Sequence, residues 1–405
     1  MRSSLLATAI ATGLGLTALT AAGNANAAPP AVTAEQLAQL QAQIAALQAQ
    51  VTELQAQNDA QSEVNISQAQ AIETTAATQK TVDKLNKLVN DTSISGRVFF
   101  NLSTIDATSN GKDTAADGTG FDMKRFYIGI NHKFNDIWSA NLTTDFTYSS
   151  AIGNTEVFVK KAYLQGKFSD AFVFRAGSAD MPWIPYAESF YGMRYVENTL
   201  VDRLKYGNSA DWGLHAGGEL GGGIANYAAS VVTGAGYKNP TRGKGMDFEG
   251  RVGFVPVQNM VIAVGGYTGT LAKETGTVDA EHDANRWDAM VAYANKGWRF
   301  GAEYFQAKNY ANVLTVATDK ADGWSVWGSV PLTEGGISAF GRYDKADTSK
   351  TLDPSLENTY WNVGVEFPVF KGFKLAAVYK DTKNENATNI DQRTKEFGVW
   401  GDVAF

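Results

Sequence analysis

The sequence contains no cysteine. Disulfides, zinc–thiolate sites and thiol nucleophiles are excluded together. Histidine is scarce: His132, His215 and His282 lie far apart, which excludes a helical His-x-x-x-His metal pair. Basic charge is in deficit, with 35 Lys and Arg against 42 Asp and Glu and a net charge of −7. Nucleic acid is not an expected partner, because phosphate binding needs a dense basic surface. Beyond the N-terminal region no stretch approaches the ~18–20 apolar residues of a membrane helix.

One apolar stretch stands at the start. Arg2 precedes Leu5–Ala22, which carries no charge, and Ala25–Ala27 reads "ANA". A positive n-region, an h-region and a small-x-small site read as a signal peptide over residues 1–27. The alternative is a membrane anchor, but the Gly, Thr and Ala content is only mildly apolar and the Ala-x-Ala ending favours cleavage. An exported protein without membrane helices is periplasmic, secreted or an outer-membrane barrel.

Residues 28–92 read as an α-helical coiled coil. From 33 to 91 there is no Gly or Pro. Leu37, Ile44 and Val51 recur every seven residues, with Leu40, Leu47 and Leu54 interleaved at the a-to-d offset. The seam turns polar at Asn58, Gln61, Asn65 and Gln68 and resumes weakly at Ile72 and Val82. A lone amphipathic helix lying on another surface is the alternative; so narrow a seam favours self-association and leaves the number of strands open.

From Ser93 the pattern changes to alternating strands. In "SGRVFFNLS", Val98, Phe100 and Leu102 alternate with Arg97, Phe99 and Asn101. "KRFYIGINHKF", "NRWDAMVAYANK", "GWRFGAEYF", "ENTYWNVGVEF" and "FKLAAVYKD" behave alike, with one apolar face ending in aromatics and one charged face. Strands of a transmembrane barrel have this form, apolar toward lipid and polar toward a wet lumen. Short links near 135, 169, 221, 257, 296, 333 and 371 alternate strictly with longer polar ones, the longest at 178–209. The count is 16 strands over residues 93–405, an all-β antiparallel transmembrane barrel with both ends on the short-turn side. A sandwich or propeller is the rival, but neither predicts that loop asymmetry and no blade repeat is present. The last segment, "FGVWGDVAF", is expected to close the barrel against the first strand, with Phe397, Val399, Val403 and Phe405 toward lipid.

Sixteen strands leave a water-filled channel, so passive diffusion of small hydrophilic solutes is the expected function. No cofactor or metal is expected. By alternation Arg97, Arg125, Lys161, Arg175 and Lys374 face inward as channel-lining residues, together with Lys167, Arg251, Arg286, Arg299, Arg342 and Lys380. The inward acids are Asp145, Glu249, Asp288, Glu303, Asp344, Glu366, Glu396 and Asp402. The wall is mildly basic, from which an anion preference follows. Arg286/Asp288 and Arg342/Asp344 are candidates for structural salt bridges, and Arg125, Lys161 and Arg175 are stronger candidates for guiding solute. The third long loop, 178–209, is rich in Trp183, Ile184, Tyr186, Phe190, Tyr191 and Tyr195, as a loop folded into the barrel would be. Glu188, Arg194, Glu197, Asp202, Arg203 and Lys205 would then form the constriction. Inward aromatics (Phe99, Tyr127, Tyr163, Phe305, Phe340) can stack sugar rings or pack the wall.

Over residues 95–405 the chain resembles the bacterial phosphate-selective porins of the O/P type. The resemblance rests on "SGRVFFNLS", "FDMKRFYIGINHKF", "VKKAYLQGKF", "FRAGSADMPW" and the C-terminal Phe. It implies a homotrimer of 16-stranded barrels in the outer membrane of a Gram-negative bacterium, an inward third loop, and basic residues guiding phosphate or other small anions. An N-terminal periplasmic coiled coil before a barrel also resembles some sugar-specific porins. The alternative function is thus a sugar-type or general porin whose coiled coil tethers the outer membrane to the cell wall. An outer-membrane enzyme is disfavoured, because no Ser- or Asp-centred motif accompanies the three histidines.

Overall fold

The computed structural model describes residues 33–148 and 155–405. The proposed signal peptide, the start of the coiled-coil segment and the second long loop lie outside them. The chain divides into two units, up to Asp83 and from Lys84 onward.

Helix α1 runs from Ala34 to Asp91 without a break. Its start is fixed by a capping box: Gln36 N–H donates to Thr33 Oγ1 (3.3 Å) and Thr33 N–H to Gln36 Oε1 (3.2 Å). No residue of the helix interior breaks it, and all six residues of the a/d seam from Leu37 to Leu54 are exposed in the single chain.

Sixteen strands follow: β1 (Thr92–Ser109), β2 (Gly118–Lys133), β3 (Trp138–Tyr148), β4 (Thr155–Ser169), β5 (Phe172–Asp180), β6 (Ala210–Leu220), β7 (Ala225–Val232) and β8 (Asp247–Phe254). Then come β9 (Met260–Gly269), β10 (Ala284–Asn295), β11 (Trp298–Lys308), β12 (Lys320–Pro331), β13 (Ser338–Asp347), β14 (Glu357–Phe370), β15 (Phe373–Glu385) and β16 (Asp391–Ala404). Each pairs antiparallel with its neighbour in sequence. β16 returns to β1 in a register from Arg97 opposite Ala404 to Ser109 opposite Gln392. The sheet is therefore a closed barrel with no free edge. A two-residue rung, Lys112–Asp113, folds back on β1 within the first long loop.

Short turns and long loops alternate as the sequence predicts. Lys296 and Gly297, both at positive φ (44° and 88°), make a two-residue turn between β10 and β11, the conformation a tight hairpin requires. No helix of the described residues is long and apolar enough to cross a membrane. The strands instead present an apolar outer face, with Ile128, Val252, Val264, Val363 and Phe397 exposed, while the inner face is polar or covered. Trp287 with Tyr304, Trp324 with Tyr343 and Trp361 with Tyr379 pack as ring pairs toward the long-loop end of that outer face. An apolar band flanked by aromatics is the surface a bilayer requires of a spanning barrel.

The enclosed apolar cluster is built around the third long loop. β5 extends through Asp180, so the loop begins at 181 rather than 178. Within it lie α2 (Ile184–Tyr191) and α3 (Leu200–Arg203). Pro185 sits in the first turn of α2, where its missing N–H costs nothing, and Gly192 ends the helix at φ 77°. Trp183, Ile184, Ala187, Tyr195, Val196, Leu200 and Val201 are all fully buried.

Candidate functional site

The third loop is fixed to the inner wall through hydrogen bonds from several of the wall's cations. Arg251 Nε donates to Pro182 O (2.9 Å), and Arg299 Nη1 to the carbonyls of Ser189 and Phe190 (2.9 Å each). Arg342 Nη1 donates to Asn198 O (2.5 Å), Arg286 Nη1 to Tyr206 O, and Lys124 Nζ to Val196 O (2.7 Å). Carboxylates take the loop's donors in turn. Trp183 N–H meets Glu249 Oε1 (2.8 Å), Trp183 Nε1 meets Glu303 Oε1 (2.7 Å), and Tyr195 OH meets Glu366 Oε2 (2.7 Å).

Several inward charges are thereby neutralised. Arg286 pairs with Asp288 at 2.9 Å and Arg342 with Asp344 at 2.6 Å, each two residues along one strand rather than across strands. Arg203 is turned to the wall, at 3.0 Å from Asp344 and with its guanidinium over Tyr360. Arg97 makes a two-pronged contact with Asp402 (2.9 and 2.8 Å), and Lys374 pairs with Glu366 at 2.7 Å. Within the loop Arg194 bonds Glu188 and lies 3.6 Å from Asp202. Glu197 takes Lys380 at 3.3 Å.

What remains is concentrated on β2–β5, opposite the strands that hold α2. Two β-bulges decide its charge. Pairing shifts between Phe99/Phe100 on β1 and Arg125/Met123 on β2, and again between Thr143/Thr144 on β3 and Lys161/Val159 on β4. A bulge sets two consecutive residues against one partner, so both can point the same way. Strict alternation turns only Arg125 and Lys161 inward; the bulges add Lys124 and Lys160. Lys160 Nζ reaches Tyr127 OH (3.3 Å) and lies over the Tyr127 ring (4.7 Å). No carboxylate is within ion-pair distance of it among the described residues. Lys161 pairs with Asp180 (2.5 Å), while Arg125 stands 3.8 Å from Asp145. Arg175 donates to Gln165 Oε1 (2.7 Å) and lies over Tyr163.

Two recesses open on this side. The one toward the long loops holds about 790 Å3, with Arg125, Asp202, Lys205, Lys238 and Lys273 in its lining. The one toward the short turns holds about 460 Å3, with Lys167, Arg175, Asp180, Tyr186 and Arg251. Tyr237 and Lys238, from the loop between β7 and β8, escape any reading of strand alternation. Burial, reinforced by the Arg125 charge, pushes the Lys238 ammonium below the ordinary lysine value of 10.5, against the attraction of Asp145. Phe99, Phe305 and Phe340 are inward but enclosed and pack the wall.

No protein-family model and no curated protein matches the chain. Solved structures do. The chain is similar to the anion-selective porin from Comamonas acidovorans (14% identity, TM-score 0.55, covering 78% of this chain and 99% of that one). The outer membrane channel DcaP of Acinetobacter baumannii is similar at 12% identity and TM-score 0.55, over 78% and 97% of the two chains. Salmonella typhi OmpF, in complex with daunomycin, is similar at 11% identity and TM-score 0.55, over the same shares. The class the barrel defines is therefore the 16-stranded porin fold. At these identities the likeness is one of fold.

Proposed function

We propose that the protein is an outer-membrane porin, a water-filled channel through which small hydrophilic solutes diffuse passively, with a mild preference for anions such as phosphate. One observation carries the sign of that preference. The wall cations of β8–β15 are tied to the third loop or to acids, whereas on β2–β5 Lys160 and Arg175 have no carboxylate within ion-pair distance among the described residues and Arg125 has only a long contact with Asp145, at 3.8 Å. Lys205, Lys238 and Lys273 extend that line at the external mouth. Solute entering between loop and wall thus meets surplus positive charge on one side, which favours anions. Glu188, Arg194, Glu197 and Asp202 shape the opposite side of the passage. In this reading Arg97, Lys374 and Arg203 hold the wall together more than they guide solute.

The long loops face outward and the turns face the periplasm, where α1 emerges after removal of residues 1–27. The exposed a/d seam is the surface through which three copies associate, and the same helix can touch the cell wall. The anion-selective name of one similar porin agrees with the charge argument. The test is zero-current potential in planar bilayers under a KCl gradient. A potential of anion-selective sign is expected, and a cation-selective sign sinks the reading.

A further inference from the structure

One stretch of the inner wall is lined mainly by uncharged polar side chains. At the turn-side ends of β2, β3 and β4, Asn131, Ser139, Asn141, Tyr163 and Gln165 line a recess of about 250 Å3. Strand register makes them direct neighbours: Asn131 lies opposite Asn141, Asn141 opposite Tyr163, and Ser139 opposite Gln165. The titratable residues of the rim are Asp91, His132 and Lys133; His132 Nδ1 is hydrogen-bonded to Thr92 Oγ1 at 2.9 Å and Lys133 is ion-paired to Asp136 at 2.8 Å.

The carboxamides are held in place by one another and still have unused capacity. Asn141 Nδ2 donates to Asn131 Oδ1 at 2.7 Å, and Thr143 Oγ1 donates to Asn141 Oδ1 at 3.0 Å. Arg175 Nε fixes Gln165 through Oε1 at 2.7 Å and sits 5.4 Å from the Tyr163 ring centre. That leaves the amide hydrogens of Asn131, one of Asn141, and the Gln165 amide group, whose one contact with Ser139 is long at 3.5 Å. A carboxamide has donors and an acceptor in one plane. Three of them beside two hydroxyls and a ring match the adjacent hydroxyls and apolar face of a sugar, and match poorly to an ion. The volume lies under the roughly 300–1,000 Å3 of drug-sized sites and suits a single sugar ring.

We propose that this recess is a saccharide subsite at the periplasmic mouth of the channel. It rests on the pore reading, which sets the recess on the path of solute. The occupant is a neutral sugar unit, from either a free oligosaccharide or a glycan strand of the cell wall.

The test uses the full mature chain. In planar bilayers maltotriose, and in a second arm chitotriose, is added to the turn side and the block of ionic current is titrated; the detergent-solubilised protein is titrated with each by calorimetry. Saturable block and binding are expected, weakened about tenfold by Tyr163→Ala and by Asn141→Ala and largely retained in Tyr163→Phe. Response to maltotriose identifies a permeating solute, and response to chitotriose alone identifies the wall glycan. The heat-modifiable gel shift of each variant verifies that it is folded. Binding by neither sugar, or binding unchanged in folded Tyr163→Ala and Asn141→Ala, overturns the proposal. A chain that does not conduct but binds sugar refutes the pore reading alone.

Discussion

The indole N–H of Trp183 donates to Glu303 Oε1 at 2.7 Å, and both side chains are buried between the third loop and strand β11. This contact sits at the loop's entry, where Trp183 N–H also meets Glu249. Trp183→Ala removes a filled volume and leaves a buried carboxylate oxygen without its donor. The expected loss is about 3–5 kcal/mol of local stability. Single-channel records should show a larger and noisier conductance as the loop leaves the wall. A trace indistinguishable from the parent would mean that the remaining arginine–carbonyl bonds hold the loop without it.

Neutralising cations should separate guides from struts. Lys160→Gln removes a charge with no carboxylate in ion-pair distance among the described residues, Arg125→Gln one whose partner Asp145 stands 3.8 Å away, and the double substitution should bring the zero-current potential near that of a non-selective pore. Lys374→Met removes a charge balanced by Glu366 at 2.7 Å, so the potential should barely move. If Lys374→Met instead shifts selectivity as much as the double variant, the division of the wall into free and tied charge is wrong.

Much of the architecture is legible in the sequence, because a barrel in lipid leaves few choices. Period-two alternation names the outward residues, and loop length separates one mouth from the other. The aromatic content of the third loop announces that it is enclosed. The second member of each basic pair is hidden: Lys124 and Lys160 are assigned to the lipid side by alternation, and only the bulges bring them in. A bulge is a local pairing event without a sequence mark beyond two consecutive basic residues that lipid would not accept. That double charge, in "MKRF" and "VKKA", is the signal that could have found them. The spending of Arg251, Arg286, Arg299 and Arg342 on loop carbonyls is equally invisible, since it depends on where a 29-residue segment (181 to 209) settles in three dimensions.

Selectivity should depend on pH in the alkaline range. The Lys238 ammonium is pushed below the ordinary 10.5 by burial and by Arg125. A cation with a lowered pKa loses its charge as pH rises through that lower value, earlier than an exposed lysine does. Anion preference is therefore expected to hold at neutral pH and to begin falling below 10.5. Lys238→Met should show the lower preference already at neutral pH and lose the early part of the titration. An unaltered profile in Lys238→Met would remove this lysine from the path.

The seam of α1 makes a prediction about assembly. Ile44 and Leu47 are half or more exposed in the single chain, and burying a Leu or Ile side chain contributes about 1.5–3 kcal/mol. Ile44→Asp with Leu47→Asp places charge on consecutive a and d positions. Light scattering of the full chain in detergent should then give a smaller mass, with the barrel's resistance to heat intact. An unchanged mass would assign association to the barrel wall rather than to the helix.

Barrel closure joins the last residue of the barrel to its first strand. Phe405 exchanges backbone hydrogen bonds with Gly96, N–H to O at 3.0 Å and 2.8 Å in the return direction. A Cβ at position 96 would lie 2.1 Å from the Phe405 ring, so the ring occupies the space that glycine leaves free. The final strand is zipped to the first by its backbone and covered at the outer face by this ring, at the level where a bilayer interface accommodates aromatics. Gly96→Val should therefore displace the ring and lower the yield of folded barrel in lipid vesicles, Phe405→Ala should do the same, and the double variant should be little worse than either alone. Strictly additive losses would mean that the two residues act independently and that the ring over Gly96 is not what seals the seam.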